Sequence, residues 1–320
     1  MKPIENIIKN ISHTFNKLSI WGKLLIFIIL ILGIKLYFSD KKNKNMWLKA
    51  EGFENTDKFI FKDTNVDIYD DFYADIYDYL VYNKIKDNYE VGEILNKTTP
   101  NEQSIILDIG SGTGNTVASL AKKNLNITGL DNSISMIDKS KSNYPDYNFQ
   151  YGDAMKAETF QASSFTHILC LYFTIYYFKD KHIFFKNCFD WLKPGGYLVV
   201  HLVDRDMFDP ILNAANPLIT LSPQRYAKDR ITTSKITFDD FKYNANFVLD
   251  STNDNASFVE KFEDRTTGKV FRKNEHKMYM QTEGDILNIA EQTGFIYTGK
   301  IDLIKAAYDY QYLYMFTKPN

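Results

Sequence analysis

The chain has 320 residues and only 15 glycines, yet three of them, Gly110, Gly112 and Gly114, fall within five positions. They belong to the run Asp108-Ile109-Gly110-Ser111-Gly112-Thr113-Gly114, which follows an apolar stretch and precedes a helical one. A loop of this kind lets backbone approach a ligand closely, because no Cβ intervenes and φ > 0 is accessible. The free N–H groups of the helix behind it then face the same ligand. Dinucleotide loops use G-x-G-x-x-G with the helix N-terminus on a pyrophosphate. Here the third glycine comes one residue early and a carboxylate stands two before the first. That carboxylate would repel a pyrophosphate and attract a ligand that carries an ammonium and a sulfonium.

Two more carboxylates stand where strands should end. Gly129-Leu130-Asp131 closes a second apolar run, so Asp131 can accept from both hydroxyls of a ribose. Gly152-Asp153-Ala154 closes a third, and Asp153 can accept from an adenine amino group while the Ala154-Met155 backbone meets the ring edge. Together these segments resemble the successive S-adenosylmethionine-binding motifs of the class I methyltransferases. Leu192-Lys193-Pro194-Gly195-Gly196-Tyr197-Leu198 resembles the turn before the fifth strand of that family. The resemblance covers roughly Tyr69 to Val203 and, more loosely, the end of the chain. It implies S-adenosylmethionine as cofactor, with Asp108 and Gly110 at its amino-acid end, Asp131 on the ribose and Asp153 on the adenine. Ser111, Gly112, Gly114, Asn132, Ala154 and Tyr73 complete the expected cofactor-binding set. An ordinary strand-turn-helix with surface carboxylates, or a nicotinamide site, would have to produce the same four features by coincidence.

The elements that must position these groups alternate. Strands are expected at Ser104 to Asp108, Asn126 to Asp131, Asn148 to Gly152, Thr166 to Tyr172 and Tyr197 to Val203. Helices are expected at Val66 to Tyr82, Thr116 to Lys123, Ser135 to Ser142 and Asp180 to Leu192. That order predicts an α/β fold with a doubly wound, mostly parallel seven-stranded sheet. From about Ile231 to Gln281 the residues alternate apolar and polar, with turn signals at Asn253-Asp254-Asn255 and Thr267-Gly268. This predicts an antiparallel β insert over 228–281, an arrangement that looks like that of some sugar-amine and small-molecule N-methyltransferases. A helix from Glu283 to Gln292 and strands at Phe295 to Leu303 and Gln311 to Thr317 follow.

Methyl transfer from a sulfonium is an in-line displacement, in which the protein mainly aligns the nucleophile, excludes water and sometimes removes a proton. No residue therefore has to advertise itself as catalytic. His201, on the fifth strand and followed by Asp204, is a candidate base or a strand histidine satisfied by a neighbour. Tyr172, Tyr176 and Tyr177 follow the fourth strand and can line an acceptor pocket or fill core. His276 falls in the β insert near that pocket. Tyr69 and Tyr73 resemble the N-terminal lid helix of small-molecule methyltransferases, and Tyr77 can equally pack on a helix face. Asp204-Arg205-Asp206 is a poor metal ligand set, so no metal is expected. The fourth strand reads Cys170-Leu171-Tyr172-Phe173 and lacks the Asn/Asp-Pro-Pro-Tyr/Phe signature of methylases that act on base amines.

The formal net charge of −2 offers no basic surface for nucleic acid. Cys170 and Cys188 are read as reduced, buried thiols. Residues 1–19 form a tail, and Ile20 to Phe38 is apolar enough to be read as a transmembrane helix, with Trp21 and Tyr37 at the interfaces. No small-residue site follows it for a signal peptidase. Lysine counts favour a cytosolic C-terminal domain, and so does the sequon Asn126-Ile127-Thr128, which falls in an expected core strand. Residues 39–65 read as a linker and 66–320 as the methyltransferase domain. The expected activity is methylation of an N or O atom of a small-molecule, and plausibly membrane-proximal, acceptor. The rival reading is a non-catalytic scaffold of the same fold at a membrane. Oligomeric state is not legible in the sequence.

Overall fold

The computed structural model describes residues 19–24, 26–29, 31, 59–210 and 230–320. The chain divides into two units, Met1–Phe53 and Glu54–Asn320. In the first, the described residues from Ile20 onward are helical and expose Ile20, Trp21, Leu24, Phe27, Ile28, Ile29 and Ile31. Among the described residues no helix is long and apolar enough to cross a membrane. The expected span of 20–38 lies partly outside them, as do residues 39–58 of the expected linker.

The second unit holds two sheets. Its elements are β1 (Ile60–Lys62), α1 (Asn65–Ile68), α2 (Asp71–Val81), α3 (Lys84–Thr98), β2 (Ile105–Ile109), α4 (Asn115–Ala121), β3 (Asn126–Asp131), α5 (Ile134–Asn143), β4 (Asn148–Tyr151), β5 (Phe165–Cys170), α6 (Lys181–Trp191), β6 (Leu192–Val203), β7 (Thr233–Thr237), β8 (Phe241–Asp250), β9 (Asn255–Asp264), β10 (Val270–Tyr279), α7 (Glu283–Thr293), β11 (Ile296–Asp302) and β12 (Gln311–Thr317). The larger sheet runs β11-β12-β6-β5-β2-β3-β4. Its pairings from β4 to β6 are parallel, while β12 is antiparallel to both neighbours. The central strands β2, β5 and β6 are buried on both faces, as helix-covered strands must be, while β4 at the edge exposes Asn148, Gln150 and Tyr151. Leu107 and Ile109 enter one core and Ile106 the other, and Leu198 and Val200 face away from Val199. The strand order reverses at β2, which carries the glycine loop at its end. Open α/β sheets bind ligands at such a switch point.

The second sheet, β1-β10-β9-β8-β7, contains the expected antiparallel meander plus one strand that pattern-reading misses. Ile60–Lys62, expected as linker, pairs parallel to β10 at Arg272, Lys273 and Asn274. Three residues are too short to show a period, so nothing in the sequence distinguishes them from solvated chain. The expected helix Val66 to Tyr82 is also two helices. Asp70 breaks it, because its carboxylate accepts from Tyr73 N as the N-cap of α2 (3.1 Å). Arg272 of β10 grips the same carboxylate with two bonds of 2.9 Å, donates to Ile68 O (2.9 Å) and stacks 4.9 Å from the Phe72 ring. Asn126 is the exposed first residue of β3, so the steric argument that excluded a sugar there does not hold.

The Arg272 clamp makes α2 part of the insert's surface. Its guanidinium is almost fully buried, whereas the Asp70 side chain is one-third exposed and can rehydrate once released. Arg272→Met is therefore expected to cost about 2–4 kcal/mol rather than the full penalty of a stranded buried charge. Urea unfolding checks this, and a loss below about 0.5 kcal/mol would mean the clamp is incidental.

Candidate functional site

At the ends of β2, β3 and β4 lie two neighbouring chambers. The first, of about 690 Å³, is lined by Gly110, Gly112, Asp131, Asn132, Asp153 and Ala154, among others. The second, of about 640 Å³, lies on the other side of the glycine loop and reaches Asp108, Ser111 and Lys86. Gly110 and Gly112 border both. Of the expected cofactor set, Asp108, Gly110, Ser111, Gly112, Asp131, Asn132, Asp153 and Ala154 all line one or both.

The loop is held by its own backbone. Gly110 N and Ser111 N donate to Leu130 O at 2.8 and 3.0 Å, and Gly112 N donates to Asp131 Oδ2 at 2.9 Å. Gly110 sits at φ +71°, with Thr174 so close that an added Cβ would come within 2.5 Å of its methyl. Gly114 does not line the chambers: at φ +88° it caps α4, and a Cβ there would strike the Phe149 ring at 2.7 Å. Its role is to let helix, strand and loop pack.

The three carboxylates differ in setting. Burial raises Asp108, helped by Asp87, Asp131 and Glu90, and pushes its pKa up to about 8. Burial also raises Asp131, against the N–H donors of Ser133, Gly112 and Asn132. Asp153 is half-buried and accepts from Met155 N at 2.9 Å. Ser111 Oγ is buried with no protein partner beside the second chamber. A crowd of acids, one of them held neutral, and an orphaned hydroxyl suit a cationic ligand with several polar groups.

Tyr73 is a correction. It does not line the chambers at the strand tips. It lies one turn back on α2, buried, and donates to Glu260 Oε1 at 2.8 Å. The C-terminal part of α2 faces the glycine loop instead, because Asp78 accepts from Thr113 (2.5 Å) and Asn115 (3.0 Å). That brings Tyr77 over Gly112, and Tyr77 lines both chambers.

A third cavity of about 840 Å³ shares Tyr69, Tyr77, Thr174 and Tyr177 with the first chamber. Its walls are mostly aromatic, and His276, Asp209 and Gln311 are among its polar members. The four catalytic candidates separate here. His276 and Tyr177 line the cavity and bond each other, Tyr177 Oη to His276 Nδ1 at 2.9 Å. His201 and Tyr176 do not line it. His201 bonds the Tyr172 carbonyl through Nδ1, and burial and the Lys86 charge push its pKa down to about 3, so it stays neutral. Tyr176 is core, with its hydroxyl accepting from Val203 N at 2.8 Å. Tyr172 holds φ +53°, an uncommon backbone state for a tyrosine, at the cavity wall. Among the described residues no group of three or more His, Cys, Asp or Glu side chains is placed so that it could hold a metal ion.

Sequence reading missed Glu260. It is fully buried on β9, accepting from Tyr73, Tyr243 (2.6 Å), Asn274 (2.8 Å) and His276 Nε2 (2.8 Å). Burial alone would raise it, but His276 and the hydrogen bonds from His276, Tyr243 and Asn274 outweigh that and hold it below its ordinary value. The signal was present in the period of two. Ala256, Glu260 and Phe262 share one parity, as do Arg272, Asn274, His276 and Met278, and each of these is buried.

Residues 106–196 match the methyltransferase domain family. An O-methyltransferase of Pyrenophora dematioidea is 33% identical over 115 residues, which is 34% of this chain and 42% of that protein. The chain thus matches less than half the length of this curated relative. Two solved structures share the fold. An S-adenosylmethionine-dependent methyltransferase from Clostridium acetobutylicum superposes with a TM-score of 0.56 at 19% identity, over 78% of this chain and 98% of that one. The CcbJ methyltransferase from Streptomyces caelestis gives 0.59 at 16% identity, over 79% and 98%. Residues 106–196 are thus similar to a methyltransferase domain, and the chain shares the α/β fold of these solved methyltransferases.

Proposed function

We propose that this chain is an S-adenosylmethionine-dependent methyltransferase that modifies an N or O atom of a small-molecule acceptor. One observation supports this above the rest: a polar chamber ringed by Asp131, Asp153 and the glycine loop adjoins a mostly aromatic cavity, the two sharing Tyr69, Tyr77, Thr174 and Tyr177 as lining. The domain family and fold both imply S-adenosylmethionine as donor, and the chamber chemistry fits it. Asp108 would face the amino-acid end, Asp131 the ribose and Asp153 the adenine, while the unpartnered Ser111 Oγ would gain a polar atom to bond. The bound donor supplies an activated methyl group. The chain's own work is to orient the acceptor against aromatic walls, exclude water and take up a proton where the nucleophile carries one.

The test is isothermal calorimetry with S-adenosylmethionine, S-adenosylhomocysteine and NAD in parallel, followed by S-adenosylhomocysteine release over an acceptor panel. Micromolar binding of the first two and none of NAD is expected. Tight donor binding with no turnover on any acceptor would favour a scaffold.

We further propose that the N-terminal segment holds the domain at a membrane, on the cytosolic side. The apolar run Ile20 to Phe38 supports this, as do the exposed Trp21, Phe27 and Ile31 of its helix. Flotation of full-length protein with vesicles, lost on deletion of residues 1–38, is the expected outcome.

A further inference from the structure

The wall between the two ligand spaces contains a linear array of hydrogen-bonding groups. Tyr69 Oη donates to Tyr177 Oη at 3.0 Å, Tyr177 Oη meets His276 Nδ1 at 2.9 Å, and His276 Nε2 meets Glu260 Oε2 at 2.8 Å. These residues come from three parts of the chain: the segment before α2, the turn after β5, and two strands of the insert. His276 and Glu260 are buried, and the imidazole is packed by Tyr69, Tyr73, Tyr177 and Phe258 at centroid distances of 5.7–6.0 Å. Around it the ionisable groups are Glu260 and the phenols of Tyr69, Tyr73 and Tyr177, with Tyr243 and Asn274 bonding the same carboxylate. In the neutral imidazole that a relay requires, the carboxylate beside Nε2 sets the tautomer: Nε2–H donates to Glu260 and Nδ1 accepts from Tyr177.

Building on the methyltransferase reading, we propose that Tyr177, His276 and Glu260 form a proton relay for methylation of a hydroxyl on a flat, apolar acceptor of the phenol class. Tyr177 is the catalytic residue, with one lone pair taken by Tyr69 and one left for the acceptor's O–H. His276 and Glu260 act through it. Burial raises the Tyr177 phenol, so it passes a proton on rather than holding a negative charge. In the step, the acceptor oxygen forms a bond to the methyl carbon as the carbon–sulfur bond breaks. The acceptor proton moves to Tyr177 Oη and the tyrosyl proton to His276 Nδ1. Positive charge thus leaves the sulfonium and reappears on an imidazolium that faces Glu260, which compensates it. The sulfur becomes a neutral thioether, so charge and atoms balance. Neutral amines attack through a free lone pair and gain little from such a relay. A phenol, with a pKa near that of tyrosine (about 10), is a poor nucleophile until its proton leaves. The walls agree, since Tyr172, Phe173, Phe208 and Phe247 offer faces on which a flat ring can lie.

The experiment compares 2-naphthol, 2-naphthylamine and 4-nitrophenol as acceptors, with donor binding measured by calorimetry in the same preparations. His276→Gln and Tyr177→Phe should both lose roughly 100-fold in transfer to 2-naphthol. At about pH 8, where 4-nitrophenol is already largely ionised, each should lose less than about fivefold with that acceptor. His276→Gln should keep donor affinity within about twofold, because His276 lies outside the strand-tip chambers. Equal losses on both phenols would reduce the array to a structural role and overturn the relay. A wild-type protein that binds donor but methylates only the amine, or none of the three, overturns the acceptor class. A wild-type protein that binds no donor overturns the methyltransferase reading itself.

Discussion

Asp131→Ala is expected to weaken S-adenosylmethionine binding roughly 1000-fold while the domain stays folded. A carboxylate that accepts from two hydroxyls makes two charge-assisted bonds of about 1.5–3 kcal/mol each, or two to four powers of ten in affinity together. The same side chain also fixes its surroundings: Oδ2 accepts from Gly112 N and Oδ1 from Ser133 N, both at 2.9 Å. Alanine therefore frees the glycine loop from the β3 tip as well as deleting the proposed ribose contact. Asp131→Asn keeps one oxygen and should fall between the two. Calorimetry on both variants, with circular dichroism to confirm the fold, decides the matter. A loss smaller than tenfold in the alanine variant would mean that the nucleoside is not held at this tip.

Donor affinity should also climb about 50-fold between pH 6 and pH 8 and level off within the next pH unit. Asp108 is the reason. With its pKa pushed up to about 8 by burial and by Asp87, Asp131 and Glu90, it is protonated in the donor-free protein at neutral pH. A bound ammonium favours the ionised form, so below pH 8 binding must expel a proton, at a cost of about tenfold per pH unit. Stability without donor runs the opposite way. The unfolded chain ionises this group near its model value of 3.8, whereas the native state ionises it only near 8. Folding therefore binds a proton across that window, and stability falls as pH rises through it before flattening above 8. Asp108→Asn is neutral throughout. It should lose donor affinity and its pH slope, yet melt higher than wild type at pH 8 when donor is absent. A variant that melts lower, or keeps the slope, would show that another group titrates.

In the sheet, β2, β5 and β6 were legible because they are apolar runs, and β3 and β4 because they lead into Gly129-Leu130-Asp131 and Gly152-Asp153. Asn126–Asp131 and Gln311–Thr317 were expected with the boundaries found. The lining of the strand-tip chambers was legible for the same reason, since its groups sit at fixed offsets from strand ends. The lining of the aromatic cavity was not. Its walls come from 69–77, 172–177 and 247–278, and only tertiary contact decides which tyrosines face inward. Tyr73 and Tyr77 carry the same residue type four positions apart on one helix, and the Arg272 grip on Asp70 together with Thr113 and Asn115 on Asp78 settles which one meets the glycine loop. His201 had the better sequence argument, at a strand end beside an acid. His276 has the better environment, but its carboxylate partner lies on the neighbouring strand, 16 residues away in the chain, and such a pairing cannot be seen in one dimension.

The parallel pairing of β1 has a practical consequence. Ile60–Lys62 covers the border of the insert at Arg272–Asn274, and Asn65 extends the cover by trading two side-chain bonds with the Lys277 backbone at 3.0 and 3.2 Å. Stretches that precede the fold proper are thus its hem and not packaging. A protein trimmed to begin at residue 66 would expose unsatisfied amides and carbonyls along β10, an adhesive margin for a second molecule. Such a preparation would clump for reasons unrelated to catalysis, so trimming belongs upstream of Phe59.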